Sequence, residues 1–310
     1  MAAIRTFGPP SDLDQVRVTE ALLPLDSYDD RAGYDPRFIL ADSPLPLPGA
    51  GMWADDLVTL VPEAQRPGDD PAELKYTHFS VRMSRSRALP LVSACNIDGS
   101  QSDRDIPRSN TWRRDPRIEN RWQNLREGYG NEQQGLFSRG HMTRREDPNW
   151  GDKATAKRAD ADTFHITNVA PQRQGFNGGI WLDLENYVLD NTDRANLRVS
   201  VLTGPVLDDS DPSYYNRQIP TAFWKILAFI QAETGQQTTI GYLRSQLSYL
   251  PRPSGARFVF ADFEDSQVSI RRIQQDTGLE LDAFADLDVM AGAGPELEIR
   301  LTKVSDIYLR

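Results

Sequence analysis

The stretch from residue 76 to residue 97 restricts this chain to a fold that contains an antiparallel sheet. Phe79, Val81 and Met83 alternate with His78, Ser80 and Arg82, and a second run from Leu89 to Ile97 is closed by Asp98 and Gly99. Alternation with a period of two sends successive side chains to opposite faces of a strand. Two such runs joined by the polar residues 84–87 predict an antiparallel hairpin. Residues 197–203 alternate in the same way and stop at Gly204 and Pro205, and residues 223–233 are strongly apolar and read as a strand or strand pair. Residues 239–247 fit either state, and 258–260 read as extended. Asp265 or Ser266 would cap a helix that runs through Ile270 and Ile273 and ends at Gly278. Residues 297–309 are left without an assignment, and no repeat, coiled-coil heptad or low-complexity tract is present. The expected fold class is α+β, a mainly antiparallel central sheet flanked by helices.

Proline organises the N-terminal part. Pro9, Pro10, Pro36, Pro44, Pro46 and Pro48 punctuate it, and a residue that lacks an N–H and fixes φ prevents long regular elements. Residues 1–70 are therefore expected as an arm packed on the core, with short helical stretches near 12–22, and residues 71–310 as the body of what is overall a single domain. The 310 residues, 39% hydrophobic and 26% charged, can bury a sizeable core. No apolar run approaches the roughly 18 residues of a membrane span, and the N-terminus lacks the basic start and apolar middle of a signal peptide. A cytoplasmic protein with no membrane partner is expected. Cys95, the single cysteine, has Val92, Ala94 and Ile97 nearby and reads as a buried structural thiol.

The middle of the chain is polar. Residues 100–131 read as a long loop anchored by Trp112 and Trp122, and loops of that length are often functional. A short strand over 135–139 would deliver His141, and a polar excursion over 143–160 would lead to a second strand at 163–167. Ile180, Trp181, Leu184, Tyr187 and Val188 then fall at helical spacing over 177–189. The order is strand, strand, helix. The net charge of −10 argues against a polyanion partner, yet residues 104–158 carry 13 Lys and Arg against 8 Asp and Glu. A basic segment on an acidic body would hold a polyanion at one place. Asp208, Asp209 and Asp211 have no calcium-loop spacing and read as a solvated turn.

The basic segment surrounds one of only three histidines, His141. Hydrolysis of a phosphodiester needs an activated water, neutralisation of the charge added at phosphorus, and stabilisation of the departing oxygen. A neutral imidazole is a suitable base at physiological pH, and His141 can supply it. A divalent cation that keeps several waters needs only one side-chain oxygen from the protein, and Asn177 can supply that. Glu185, eight positions further along a helix, lies roughly 12 Å away along the axis, so it would act on a metal-held water rather than on the metal. The Arg139 fork suits phosphate oxygens. His78 and His165 read as structural, His165 as a support to the site.

Ser138-Arg139-Gly140-His141-Met142, then Thr163 to Asn168, Pro171-Gln172, Asn177, Trp181 and Leu184-Glu185 resemble the DNA/RNA non-specific endonucleases, whose site is a ββα-metal finger. The resemblance covers residues 135–190, and Asn96 to Gly99, Trp112, Asp115-Pro116-Arg117 and residues 201–205 are similar to a bacterial branch of that family. It implies that His141 is the general base and Asn177 the sole direct protein ligand of a Mg²⁺, with Mn²⁺ able to substitute. Glu185 would hold a water of that ion, and Asn168 would help order the site. Arg139 and an upstream arginine would stabilise the pentacovalent phosphorane. Arg108, Arg113 and Arg114 all precede Asp115, and Arg108 is favoured. The implied products carry 5′-phosphate and 3′-hydroxyl ends, with little sequence preference, as contacts to the nucleic-acid backbone would give.

Two positions depart from the family pattern. Ser138 stands where aspartate is usual, and Gly178-Gly179 follow Asn177 where glutamine is often found; each glycine weakens the helix start by about 1 kcal/mol relative to alanine. A catalytically weakened protein that binds nucleic acid as a scaffold is the alternative reading, and a phosphodiesterase of small nucleotides a third. The partners expected of a nuclease are DNA and RNA, an inhibitor or other regulatory protein that restrains it, and a second copy in a homodimer.

Overall fold

The computed structural model describes residues 20–130, 137–173, 176, 190, 192–193, 196–250, 266–292, 294, 297–301 and 306. Asn177, Glu185 and the helix expected over 177–189 lie outside the described residues, as do 1–19 and the extended stretch 258–260.

The strands in chain order begin with β1 (Ala21–Leu22), β2 (Leu74–Lys75), β3 (Phe79–Ser84), β4 (Leu89–Asp98) and β5 (Arg113–Arg114). Next come β6 (Ser138–His141), β7 (Val169–Gln172), β8 (Arg198–Val206), β9 (Ser213–Tyr214) and β10 (Arg217–Gln218). The last are β11 (Ala222–Ile230), β12 (Gln237–Ser245), β13 (Ser266–Val268) and β14 (Glu298–Arg300). Eight of them form one sheet in the order β14-β13-β12-β11-β8-β4-β3-β2, and every neighbouring pair in it is antiparallel. The expected hairpin is β3–β4, and residues 239–247 resolve into the strand β12.

Alternation decides which side of the sheet each residue serves. Along β8, Val199 and Val201 join one apolar cluster and Leu202 the other; along β11, Trp224, Ile226 and Ala228 oppose Leu227. Both faces of β11 are covered, which is why its sequence is nearly continuously apolar. Tyr28, Val58 and Leu60 from the proline-rich part join one cluster, and Tyr34 and Leu45 the other. Cys95 is fully buried on β4.

Several local expectations are corrected. Residues 143–160 are not all loop, because α1 (Lys153–Thr163) starts there, capped by Asp152, whose side chain accepts from the Thr155 amide. Its buried side is Ala156, Ala159, Asp160, Asp162 and Thr163, small and acidic residues that draw no apolar stripe. Residues 163–167 are accordingly not a strand: they finish α1 and enter a 3-10 turn, Ile166–Asn168. Their apparent alternation is void because residues 163–168 are all buried. The strand in this region is β7. β8 does not end at Gly204 but runs to Val206; a Cβ at Gly204 would stand 2.3 Å from the Leu91 carbonyl, so the glycine marks close approach. The ladder from β8 to β4 ends at the Ser93–Thr203 pair, just before Pro205, which has no N–H to give. The late helix, α2 (Ile270–Thr277), is capped by Ser269, since Ser266 belongs to β13; Gly278 ends it at φ 68°. Asp211 is not solvated but buried, paired with Arg87.

Candidate active site

β6 and β7 form a separate antiparallel pair, with Ser138 opposite Gln172 and His141 opposite Val169. A third apolar cluster of Tyr129, Phe137, Ile166, Val169, Ile219 and Leu250 supports it. Gly140 is required here, because a Cβ would come within 1.9 Å of Gln172 Oε1. The Ser138 hydroxyl donates to the Gln172 carbonyl at 3.0 Å, so the residue at the family's aspartate position ties the two strands together.

Asn168 fixes the chain immediately after His141. Its Oδ1 accepts from the Thr143 amide at 2.9 Å and from Ser93 Oγ at 3.0 Å, and its Nδ2 donates to the Thr143 and Thr163 carbonyls. Its own carbonyl accepts from the Met142 amide at 2.8 Å. Asn168 is wholly buried and its amide is spent on these bonds, which link β4, the end of β6 and the end of α1. Its side-chain amide thus holds these three segments together.

The His141 ring lies 5.4 Å from the Trp112 ring and edge-on to Phe164 at 5.3 Å. Its Nε2 is sealed from solvent and has no hydrogen-bond partner among the described residues. Burial, helped by the positive charges of Arg108 and Arg145, pushes the imidazole pKa down to about 3. An arginine rests on each flanking ring: Arg108 lies 5.0 Å from the Phe164 centroid, and Arg139 lies 4.8 Å from Trp112 and 5.6 Å from Tyr129.

Of the three upstream arginines, Arg108 is the one beside His141. Arg113 Nη1 donates to the Thr111 and Ala161 carbonyls, which directs it at the end of α1. The sequence reading missed Arg145, anchored by Asp160 at 2.9 Å and by Glu146, and it missed Glu20, whose carboxylate pairs with Arg139. No local pattern announces either. The basic excess of residues 104–158 is also largely paired: Arg104 meets Asp190 and Asp193, Arg117 meets Asp115, and Arg158 meets Asp30. Arg108 bonds only to Asn110 and meets no carboxylate among the described residues.

The other two histidines are committed. His165 Nδ1 donates to the Asp162 carbonyl at 2.8 Å, which leaves Nε2 to accept from Tyr28 Oη at 2.7 Å. His78, in the left-handed region at φ 68°, stacks on Trp150 at 3.4 Å and bonds the Pro148 carbonyl. Burial lowers the pKa of both.

Among the described residues no three His, Cys, Asp or Glu side chains converge as a metal cage would. What the described part offers is a partnerless imidazole nitrogen and cationic side chains, which suit a phosphate.

Residues 61–289 match the model of the family described as DNA/RNA non-specific endonuclease. The chain is 36% identical over 306 residues to the uncharacterized protein y4fB of Sinorhizobium fredii, covering 94% of this chain and 45% of that protein. It is 34% identical over 112 residues to mitochondrial endonuclease G of Homo sapiens, covering 32% of this chain and 35% of that protein. The chain thus spans less than half the length of these curated relatives. A chain in the crystal structure of the EndoG/EndoGI complex, which concerns the mechanism of EndoG inhibition, has the same fold, with a TM-score of 0.50 and 22% identity; the match covers 69% of this chain and 86% of that one.

Proposed function

Because the chain belongs to the DNA/RNA non-specific endonuclease family, we propose that it hydrolyses phosphodiester bonds of DNA and RNA in a metal-dependent reaction, leaving 5′-phosphate and 3′-hydroxyl ends. The observation that carries this reading is His141 Nε2, a buried imidazole nitrogen without a partner among the described residues, with an arginine over each of the two rings beside it.

A neutral Nε2 can accept the proton of a water as the water oxygen bonds to phosphorus; the P–O3′ bond then breaks, the departing oxygen takes a proton from solvent, and the imidazolium returns its proton to solvent to close the cycle. Arg108 and Arg139 present N–H groups to the phosphate oxygens, where charge grows in the transition state. A base near pKa 3 is too weak for this work. Burial is the largest cause of the depression, and the charges of Arg108 and Arg145 add to it; the negative charge of a bound phosphate offsets the two arginines and so raises the imidazole pKa on binding. Asn177 would hold a Mg²⁺ or Mn²⁺ and Glu185 one of the waters on it; when bound, the ion supplies further charge neutralisation at the phosphate and the departing oxygen. Contacts of this kind reach phosphates rather than bases, so the substrate is DNA or RNA of any sequence. A protein that restrains the enzyme by covering this site belongs to the same reading, supported by the likeness to a fold solved in an inhibitory complex.

The test is cleavage of plasmid and of RNA on gels, with Mg²⁺ and with EDTA, by wild type, His141→Ala and Asn177→Ala. Cleavage that both substitutions and EDTA abolish is the expected result. Stoichiometric binding without turnover in the wild type would replace the reading with that of a scaffold.

A further inference from the structure

The carboxylate of Glu20 forms an ion pair with Arg139 Nη2, and we infer that Glu20 is a positioning residue of the active site, so that residues 20–22 join a site whose other described residues lie between 108 and 172. The inference rests on the nuclease reading for the purpose of the orientation, while the contact stands by itself. Glu20 is 5% exposed, and a carboxylate is buried at a cost unless a cation and hydrogen bonds answer it. Arg139 answers it, 119 positions away in the chain.

Three features make the pair a device for orientation. First, β1 runs parallel to β5, with Ala21 opposite Arg113, and the Ala21 amide donates to the Trp112 carbonyl at 2.8 Å. The strand that brings the carboxylate is therefore bonded to the residue whose ring carries the guanidinium. Second, Arg139 is packed on Trp112 and Tyr129, so its plane is set by the rings and its rotation in that plane by Glu20. Third, the contact uses a single nitrogen of the fork. A guanidinium has five N–H donors, and the remaining ones are left for phosphate oxygens, which is how a pre-oriented arginine differs from a blocked one.

The experiment compares wild type, Glu20→Ala, Glu20→Gln, Arg139→Ala and the double variant Glu20→Ala/Arg139→Ala on a duplex oligonucleotide with Mg²⁺. Glu20→Ala is expected to lower kcat about tenfold with KM little changed, as misplacement of a contacting group does, Glu20→Gln to recover most of the loss through its remaining acceptor oxygen, and the double variant to equal Arg139→Ala. A rise in activity in Glu20→Ala would overturn the inference, because the carboxylate would then be occupying the phosphate's place. An equal loss in the Arg139→Ala background would overturn it too. A second arm needs no turnover: the Arg139 Nε–Hε NMR signal, identified by its loss in Arg139→Lys, should shift and broaden in Glu20→Ala, and an unchanged signal sinks the idea. Absence of cleavage by the wild type would remove the nuclease reading and leave this arm to decide the contact.

Discussion

His141 packs against Trp112 and Phe164, and His165, the next residue after Phe164, packs against Tyr28 and Tyr76, so both are neutral imidazoles among aromatic rings. The difference lies in their nitrogens. His165 has both ring nitrogens bonded, and its ring packs against Tyr76, whose hydroxyl meets Asp115 at 2.5 Å and Thr167 at 2.6 Å beside the buried Arg117–Asp115 pair. His141 leaves Nε2 uncommitted. A buried polar atom without a partner costs about 1–3 kcal/mol, so folding alone gives no reason to keep His141. Burial by itself therefore says little about a histidine's task, whereas the state of its nitrogens separates His165, held at both, from His141, the reagent of the proposed function.

The largest effect that would break this contrast concerns turnover. His141→Ala should lower kcat by about 10²–10⁴-fold, the range of a lost general base, with the fold intact by circular dichroism. His165→Ala should leave kcat per folded molecule within about twofold and lower unfolding stability by about 3 kcal/mol, from the lost bonds and the cavity; equal kinetic losses in the two variants would erase the distinction. Next in size is Arg108→Ala, expected to cost about a hundredfold in kcat/KM, as removal of one charge-stabilising donor does, without moving the denaturation midpoint.

The pH dependence sharpens the comparison further. The free enzyme has His141 at about 3, so kcat/KM should show no acid limb from this group down to about pH 4, while kcat, which reports the bound state, should fall at a higher pH. Identical limbs in the two profiles would remove the role given to the phosphate. The last effect is on stability. A histidine whose pKa is depressed by folding takes up its proton first in the unfolded chain. Its contribution is therefore present above the unfolded value of about 6.5 and is lost as pH falls toward the folded one. The urea midpoint of the wild type should drop more steeply than that of His141→Ala between about pH 6.5 and 4; parallel curves would contradict the depressed pKa.

Much of the scaffold was legible in the sequence because period-two alternation and buried strands leave a mark on every residue. The hairpin over 76–97 and the strands near 197 and 223 were read from that mark. The neighbourhood of the site was legible only in part. Val169 to Gln172 is too short to show a period and contains a proline, while residues 163–167 alternate by accident in a turn buried on all sides. The α1 helix hides its inner face behind alanines and aspartates. Arg108 could be preferred from its place in the chain, but the contacts of Arg145 and Glu20 join segments that only tertiary packing brings together. Their partners are written nowhere near them.

The centre of the large sheet has a consequence for the order in which the protein can be made. β4 is bonded to β8 with Ser93 opposite Thr203, 110 positions later, and the segments that carry Arg108, Arg139, His141 and Asn168 all lie between those two strands. While the ribosome has yet to deliver β8 and the strands beyond it, the emerging chain already contains each of these side chains but lacks the sheet that sets them against one another. Contacts of such long sequence separation close late and slowly. The site is therefore assembled late, when β8 docks, and the nuclease activity proposed above should appear with that step.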